Sequence, residues 1–341
     1  MSTSRVGSGP RRRSDRTTRL TPVRRSPLHD TFGLLFEARE PDLDLAAFLD
    51  GNQPQVLADL DLHGAILFRG FAVNSPGEFG DAARALSPEL LKYLERAAPR
   101  NEVADGVFTS TELAADRWIE LHHEMSYAHS WPSRLYFYCE VAAAQGGATP
   151  LASERTVVPA IPTEIRERFL RHGVCYVRNY GPDLDLPWQE VFQTVDRTVV
   201  EAYCRASGAE FTWTGRDALR TRSVRQAMAH HPRTGEAVWF NHAHLFHVAA
   251  MAPEVAATLV NEVGIEGLPR NAYYGDGQAI DDEVITLIRS LYQESAMTFS
   301  WQRGDVLVAD NFLVTHGREP FTGDRRVLVA MSDLYVTQES S

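Results

Sequence analysis

Arg303-Gly-Asp-Val-Leu-Val-Ala-Asp310, continued by Asn311-Phe-Leu-Val-Thr-His316 and by Pro320-Phe-Thr-Gly-Asp-Arg-Arg-Val-Leu-Val-Ala-Met331, is the stretch on which the fold turns. Arg303-Gly-Asp305 is turn-forming, and Val306 to Asp310 is a short β-branched run that reads as a strand. Asn311 to Thr315 brings the chain to His316. Pro320 to Asp324 is a second turn signal, and Arg325-Arg326 opens the strand Val327 to Met331. Working outward, the same texture begins near Trp118 and recurs at Arg134 to Val141, Val174 to Asn179 and Ala237 to Asn241, with Gly, Pro and Asp between the runs. Such spacing predicts an antiparallel sandwich or barrel rather than alternating βαβ units. An earlier apolar run, Gly64 to Gly70, also reads as a strand. Helical periodicity covers Asp42 to Leu60 with a break near Gly51, then Pro76 to Leu94, Pro162 to His172, Trp188 to Cys204, Pro253 to Glu262 and Asp281 to Glu294. The expectation is a mainly β domain over residues 29–338 with flanking helices and a helical insertion at about 180–300.

The 341 residues are 44% hydrophobic, enough to bury a sizeable core. Residues 1–28 hold eight arginines against the single acid Asp15, a net of +7 in a chain whose total is −11, so the remainder carries −18. A basic Ser/Thr/Gly/Pro-rich stretch of this kind is expected to be a disordered tail. The acidic remainder argues against a nucleic-acid groove on the folded part. No apolar run is long enough to span a bilayer and no secretory signal is evident, so no membrane partner is expected and a cytoplasmic location is. Cys139, Cys175 and Cys204 have no paired spacing and are expected to be reduced and buried.

His122-His123-Glu124 carries the chemistry. In a strand, residues i and i+2 share a face, so His122 and Glu124 can present an imidazole and a carboxylate together while His123 points away. With His316, two imidazoles and one carboxylate form the donor set that leaves open positions on non-haem Fe(II). A dicarboxylate such as 2-oxoglutarate, chelating such a metal at its keto-acid end, needs a buried cation for its other carboxylate, and Arg325 and Arg326 both stand where a strand starts. Gly146-Gly147-Ala148-Thr149-Pro150 is a turn whose Thr hydroxyl could bond to the same carboxylate.

These residues, together with Leu121-His-His-Glu-Met-Ser-Tyr127, Trp239-Phe-Asn241, Leu268-Pro-Arg-Asn-Ala-Tyr-Tyr-Gly-Asp276 and His316-Gly-Arg-Glu-Pro-Phe321, resemble the TauD/TfdA-type Fe(II)/2-oxoglutarate-dependent dioxygenases, in the branch near clavaminate synthase and the SyrP-like hydroxylases. The resemblance runs from about residue 40 to residue 335. It implies a double-stranded β-helix, or cupin-like jelly roll, with Fe(II) on His122, Glu124 and His316, and with Arg326 and Thr149 on the 2-oxoglutarate carboxylate. Arg326 is preferred to Arg325 because it leads the apolar strand. Retention of Glu124 argues against the halogenating relatives, which have a small residue there. The implied reaction couples O2 activation to decarboxylation of 2-oxoglutarate and hydroxylates an unactivated C–H bond of an amino acid, free or tethered to a peptidyl carrier protein, in the biosynthesis of a nonribosomal-peptide natural product.

Rival readings are a desaturase or cyclase using the same chemistry, a catalytically silent jelly-roll binding protein, and a zinc hydrolase, which leaves Thr149 and Arg326 without a purpose. His230, His231, His242, His244 and His247 form a second histidine-rich region without a nearby carboxylate, and are expected to be core or pocket residues. Trp239 and Asn241 read equally well as pocket or packing. Arg69 reads as a brace on the first strand. For an acidic carrier, Arg117, Arg134, Arg155 or the tail would supply the basic patch.

Overall fold

The computed structural model describes residues 22–92, 100–110, 113–181, 186–215 and 217–337. Eight strands form the large sheet in the spatial order Val23–Pro27, Leu34–Ala38, Ala65–Arg69, Val306–Asp310, Ser130–Val141, Arg326–Val336, Val107–Thr109, Glu102–Ala104. All neighbours are antiparallel except Leu34–Ala38 with Ala65–Arg69. Alternation along each strand divides the side chains between two cores. Leu135, Phe137 and Cys139, with Leu307, Val327 and Val329, face a small sheet made of Ile119–His122, Val314–Arg318 and Leu151–Ser153. Tyr136, Tyr138, Val306, Val308, Leu328 and Ala330 face the helices Leu45–His63 and Pro76–Leu86. Period-2 patterning thus buries both faces of the large sheet. The two facing sheets are the jelly roll, and the helices cover its outside.

The helix Leu45–His63 runs unbroken through Gly51 and Pro54. Leu45, Leu49, Val56 and Leu60 lie on its buried face, and that continuous apolar contact outweighs the local propensity penalty. Asp44 caps its first turn by accepting from the Ala47 N–H at 2.7 Å. The second helix stops at Leu86, short of the expected Leu94, because Pro88 forces Ser87 out of the helical region, to φ −151°. The expected helix Trp188 to Cys204 is two helices, Trp188–Phe192 and Arg197–Ala206, parted at Gln193, whose φ is +53°.

One expectation about organisation is corrected and another is extended. Residues 22–28 do not belong to a tail: Val23–Pro27 is the edge strand of the large sheet, with Arg25 paired to the buried Asp59 at 2.5 Å, and residues 1–21 lie outside the described residues. The stretch at about 180–300 holds the helices Trp188–Phe192, Arg197–Ala206, Pro253–Val263 and Asp282–Ser295, and strands that were not expected lie between them. Glu210–Thr214, Ala218–Arg225 and Arg270–Tyr274 join Val174–Tyr180 in a four-stranded antiparallel sheet, whose alternation was too irregular to separate from loop in the sequence. Arg69 is the brace it was read to be: its Nε and Nη2 donate to the Asp305 carboxylate at 3.0 and 2.6 Å, joining two adjacent strands. All three cysteines are buried and unbonded to one another.

Phe68 is fully buried at the outer core, with ring centroids of Phe36, Phe71 and Phe48 at 5.3, 5.8 and 6.4 Å. Phe68→Ala is expected to lower the unfolding free energy by about 3–5 kcal/mol in a denaturant titration. A loss below about 1 kcal/mol would contradict this core assignment.

Candidate functional site

The register between two strands of the small sheet builds the site. His316 in Val314–Arg318 lies directly opposite His122, the last residue of Ile119–His122, so both imidazoles leave the sheet on one side with ring centroids 4.4 Å apart. Glu124 follows just beyond the strand, where Met125 takes the left-handed conformation at φ +60° and turns the chain. His122, Glu124 and His316 come together with their ligand atoms all within 4.8 Å of one another. His316 Nε2 and Glu124 Oε2 are 3.7 Å apart, too far for a hydrogen bond but within the span of two atoms bound to one ion at about 2.0–2.2 Å.

Neighbouring groups orient these donors. His122 Nδ1 lies 2.8 Å from the Glu120 carbonyl, which leaves Nε2 turned into the site as a lone-pair donor. Asn311 holds Glu124 from both sides. Its Oδ1 accepts from the Glu124 N–H at 2.8 Å, and its Nδ2 donates to the Glu124 carbonyl at 3.0 Å and to that of Pro132 at 2.8 Å. His123 points away, one ring nitrogen 2.5 Å from the Asn311 carbonyl and the other 3.1 Å from Glu154. Glu154 also accepts from the Tyr292 hydroxyl and the Trp239 N–H, at 2.8 and 3.0 Å. Burial pushes both His122 and His316 below the usual imidazole range, so each ring is neutral at neutral pH and offers a lone pair. Two neutral nitrogens and one carboxylate suit a first-row divalent metal such as Fe(II).

A cavity beside this cluster is lined by Ile119, Phe137, Thr149, Arg318, Arg325 and Val327, among others. Thr149 is buried, and its hydroxyl oxygen accepts from the Trp301 indole N–H at 3.0 Å, so its own proton can be donated to a bound anion. Arg325 is desolvated there: burial first, and the neighbouring Arg318 second, push its guanidinium down to about 10, still charged at neutral pH. Its Nε donates to the Gly147 carbonyl at 2.9 Å. Gly147 has φ +70°, and a Cβ on it would fall 2.9 Å from Arg325 Cδ, so the second glycine of the turn makes room for the arginine.

Arg326 is not at this site. It stands at the first position of Arg326–Val336 with its side chain about half exposed and paired to Glu140 at 2.9 Å. Consecutive strand residues point to opposite faces, so only one of the two arginines can enter the cavity, and it is Arg325. A register shift between Arg326 and Val327 accompanies the change of face. The preference for the residue that leads the strand is thereby overturned.

The other histidines brace the site without joining it. His244 Nε2 donates to the Leu121 carbonyl at 2.8 Å, supporting the strand that carries His122, and His242 Nδ1 lies 2.6 Å from the Ser126 hydroxyl. His231 forms a second cluster with Asp310 and Asp61, but the Arg233 guanidinium already bonds to both carboxylates and supplies the cation. Asn241 is structural, bonding the Ala227 carbonyl and the Ala243 N–H, and Trp239 is core, its ring 4.7 Å from that of Phe169. Two carrier-patch candidates are withdrawn: Arg134 is buried against Asp333 and Ser87, and Arg155 is held by Glu236 at 2.6 Å. Sequence reasoning counted Asp310-Asn311 among the residues of the resemblance without giving Asn311 a role, and it missed Trp301, which donates to Thr149, and Arg100, whose Nη2 is 3.1 Å from Glu124; neither of these two carried a signal.

A jelly roll with two histidines and a carboxylate at its mouth, and a buried arginine and threonine alongside, is the architecture of a 2-oxoglutarate-dependent oxygenase. Residues 24–332 match the family described as "Taurine catabolism dioxygenase TauD, TfdA family". The chain is 42% identical over 270 residues to the dapdiamide synthesis protein DdaC of Enterobacter agglomerans, covering 79% of this chain and 82% of that protein. It is 33% identical over 279 residues to a clavaminate synthase-like protein of Arabidopsis thaliana, covering 79% and 81%. In fold it matches PvcB of Pseudomonas aeruginosa, with TM-score 0.55, 18% identity and coverage of 95% and 94%. It also matches a taurine dioxygenase of Burkholderia xenovorans, with TM-score 0.51, 15% identity and coverage of 91% and 90%. The chain belongs to the TauD/TfdA dioxygenase family. It is an enzyme that uses Fe(II), 2-oxoglutarate and O2. No helix among the described residues is long and apolar enough to cross a membrane.

Asn311→Ala would leave the buried Glu124 N–H and two carbonyls unpaired. The expected loss is roughly 2–4 kcal/mol of unfolding free energy, measured by denaturant titration of the metal-free protein. A variant as stable as the parent would contradict the clamp.

Proposed function

We propose that this dioxygenase hydroxylates an unactivated C–H bond of an amino acid, free or presented by a peptidyl carrier protein, in natural-product biosynthesis, with Fe(II) on His122, Glu124 and His316 and the far carboxylate of 2-oxoglutarate on Arg325 and Thr149. The observation that carries the reading is the desolvated Arg325 guanidinium in the same cavity as Thr149 and the three converging donors. Its biosynthetic context is supported by the likeness to a protein of dapdiamide synthesis.

The residues divide the work. His122, Glu124 and His316 take three positions on the metal and leave the remainder to the reactants. Arg325 and Thr149 grip one end of the dicarboxylate by charge-assisted hydrogen bonds, which fixes the direction of its keto-acid end. Ile119, Phe137 and Val327 make the walls apolar, which excludes water and strengthens every charge interaction inside. When bound, the iron and cosubstrate supply oxygen activation coupled to decarboxylation to succinate and CO2. Full retention of Glu124 as a donor favours hydroxylation over halogenation. For a carrier, Arg117 is exposed next to Trp118, itself 54% exposed, and could contribute to docking.

The test is succinate release with Fe(II), 2-oxoglutarate and a set of amino acids and their carrier thioesters. The expected result is succinate accompanied by a product heavier by one oxygen atom, and neither signal with any member would overturn the proposal. Within the same assay, Arg325→Ala is expected to raise the KM for 2-oxoglutarate by about 100-fold, the loss of a buried charge-assisted contact. Arg326→Ala should leave it within about twofold, as for an exposed pair. The reverse pattern would restore Arg326.

A further inference from the structure

Trp301 is a buried residue between two exposed neighbours, Ser300 and Gln302. Its indole N–H donates to the Thr149 hydroxyl at 3.0 Å, and its ring meets that of Phe299 with centroids 4.8 Å apart. Ser300 and Trp301 also line a cavity of about 400 Å³ that Gly147 and Arg325 border from another side. The loop that carries the indole therefore has open space beside it, and bonds to its backbone must set its position.

The Arg69–Asp305 ion pair supplies them. Arg69 Nη2 donates to the Ser300 carbonyl at 2.8 Å, and the Asp305 carboxylate accepts from the Gln302 N–H at 2.8 Å. The two residues that flank Trp301 are thus tied to the two halves of one pair. Strand pairing alone does not call for it, since Ala65–Arg69 and Val306–Asp310 already share a ladder from Val306 opposite Phe68 to Ala309 opposite Ala65. Bonds from a charged group to the backbone are shorter and stronger than neutral ones, so both flanks of the indole are held firmly.

A threonine hydroxyl has one proton to give and turns to suit its surroundings. With the indole on its oxygen, the Thr149 proton is directed elsewhere, and among the described residues no protein group accepts it. A hydroxyl that accepts one hydrogen bond is also polarised to donate the next more strongly.

We propose that Arg69, Asp305 and Trp301 are positioning residues for the cosubstrate that act through Thr149. The ion pair sets the loop, the loop sets the indole, and the indole turns the Thr149 proton toward the far carboxylate of 2-oxoglutarate. The proposal rests on the dioxygenase reading of the site, in which Thr149 takes that carboxylate. Because the three residues act through one hydroxyl, their effect disappears when it is removed.

The experiment is a double-mutant cycle on 2-oxoglutarate affinity, measured by anaerobic calorimetric titration of the Fe(II)-loaded full chain. Thr149→Val and Trp301→Phe are each expected to weaken binding by about fivefold to tenfold. Combining them should weaken it by no more than about twofold beyond Thr149→Val alone. Arg69→Met should also weaken binding in the parent and add nothing to Thr149→Val, and Arg69→Lys, which keeps a charge but not the fork, should recover part of the loss. Losses that multiply in the Thr149→Val background mean that the loop loosens the cavity as a whole, which overturns the proposal. A Trp301→Phe protein that binds 2-oxoglutarate as the parent does also overturns it, and this variant decides the matter even if Arg69→Met does not fold. A parent that binds no 2-oxoglutarate, or a Thr149→Val variant of unchanged affinity, would instead overturn the underlying assignment of the cosubstrate site.

Discussion

The antiparallel register that sets His316 opposite His122 is the constraint on which the rest depends. Moving one strand by a single residue would turn one imidazole to the other face and leave the pair unable to share an ion. The register is held from several directions. Val314 to His316 pair on their other side with Leu151–Ser153, and the Leu121 carbonyl is tied down by His244. The same segment that leads from the large sheet into Val314–Arg318 contains Asn311, which clamps the third donor. One passage of chain therefore places His316 directly and Glu124 by hydrogen bonds, and the triad has little freedom to open.

Charge distribution then separates the site from the surface. The chain is acidic as a whole, yet the cavity beside the triad is lined by arginines. Burying guanidinium groups in an apolar cleft costs free energy unless an anion meets them. Arg325 accordingly shows its burial in a lowered affinity for its proton, whereas Arg326, one residue on, rests half exposed against Glu140. A carboxylate entering the cleft would meet that desolvated charge, a source of affinity that the half-exposed Arg326 does not offer.

Much of this was legible from the residues. The short apolar runs at 134–141 and 306–310, and the run that opens at Arg326, alternate cleanly because one face meets the inner core and the other meets helices. The spacing of His122, Glu124 and His316 carried the donor set. What stayed hidden was decided by neighbours distant in sequence. Arg325 and Arg326 differ in facing, which depends on a register shift against Ser130–Val141 and on the space that Gly147 leaves. Glu124 follows its strand instead of belonging to it, so the parity argument named two side chains that do converge, although a left-handed turn at Met125 completes the placement. Val174 to Asn179 was legible as a strand, but its partner Ala218–Arg225, inside the stretch read as a helical insertion, was not, because charged residues such as Arg220, Arg222 and Arg225 interrupt its alternation. Arg134 and Arg155 looked like surface charge and are bound to acids instead.

The central claim is that His122, Glu124 and His316 hold Fe(II) while Arg325 orients 2-oxoglutarate on it. Its most direct measurement is the visible absorption of the protein mixed anaerobically with Fe(II) and 2-oxoglutarate. The account predicts a weak charge-transfer band that requires both additions, is absent in Glu124→Ala and needs far more 2-oxoglutarate in Arg325→Ala. A parent protein without the band, or a Glu124→Ala variant that keeps it unchanged, would contradict the account.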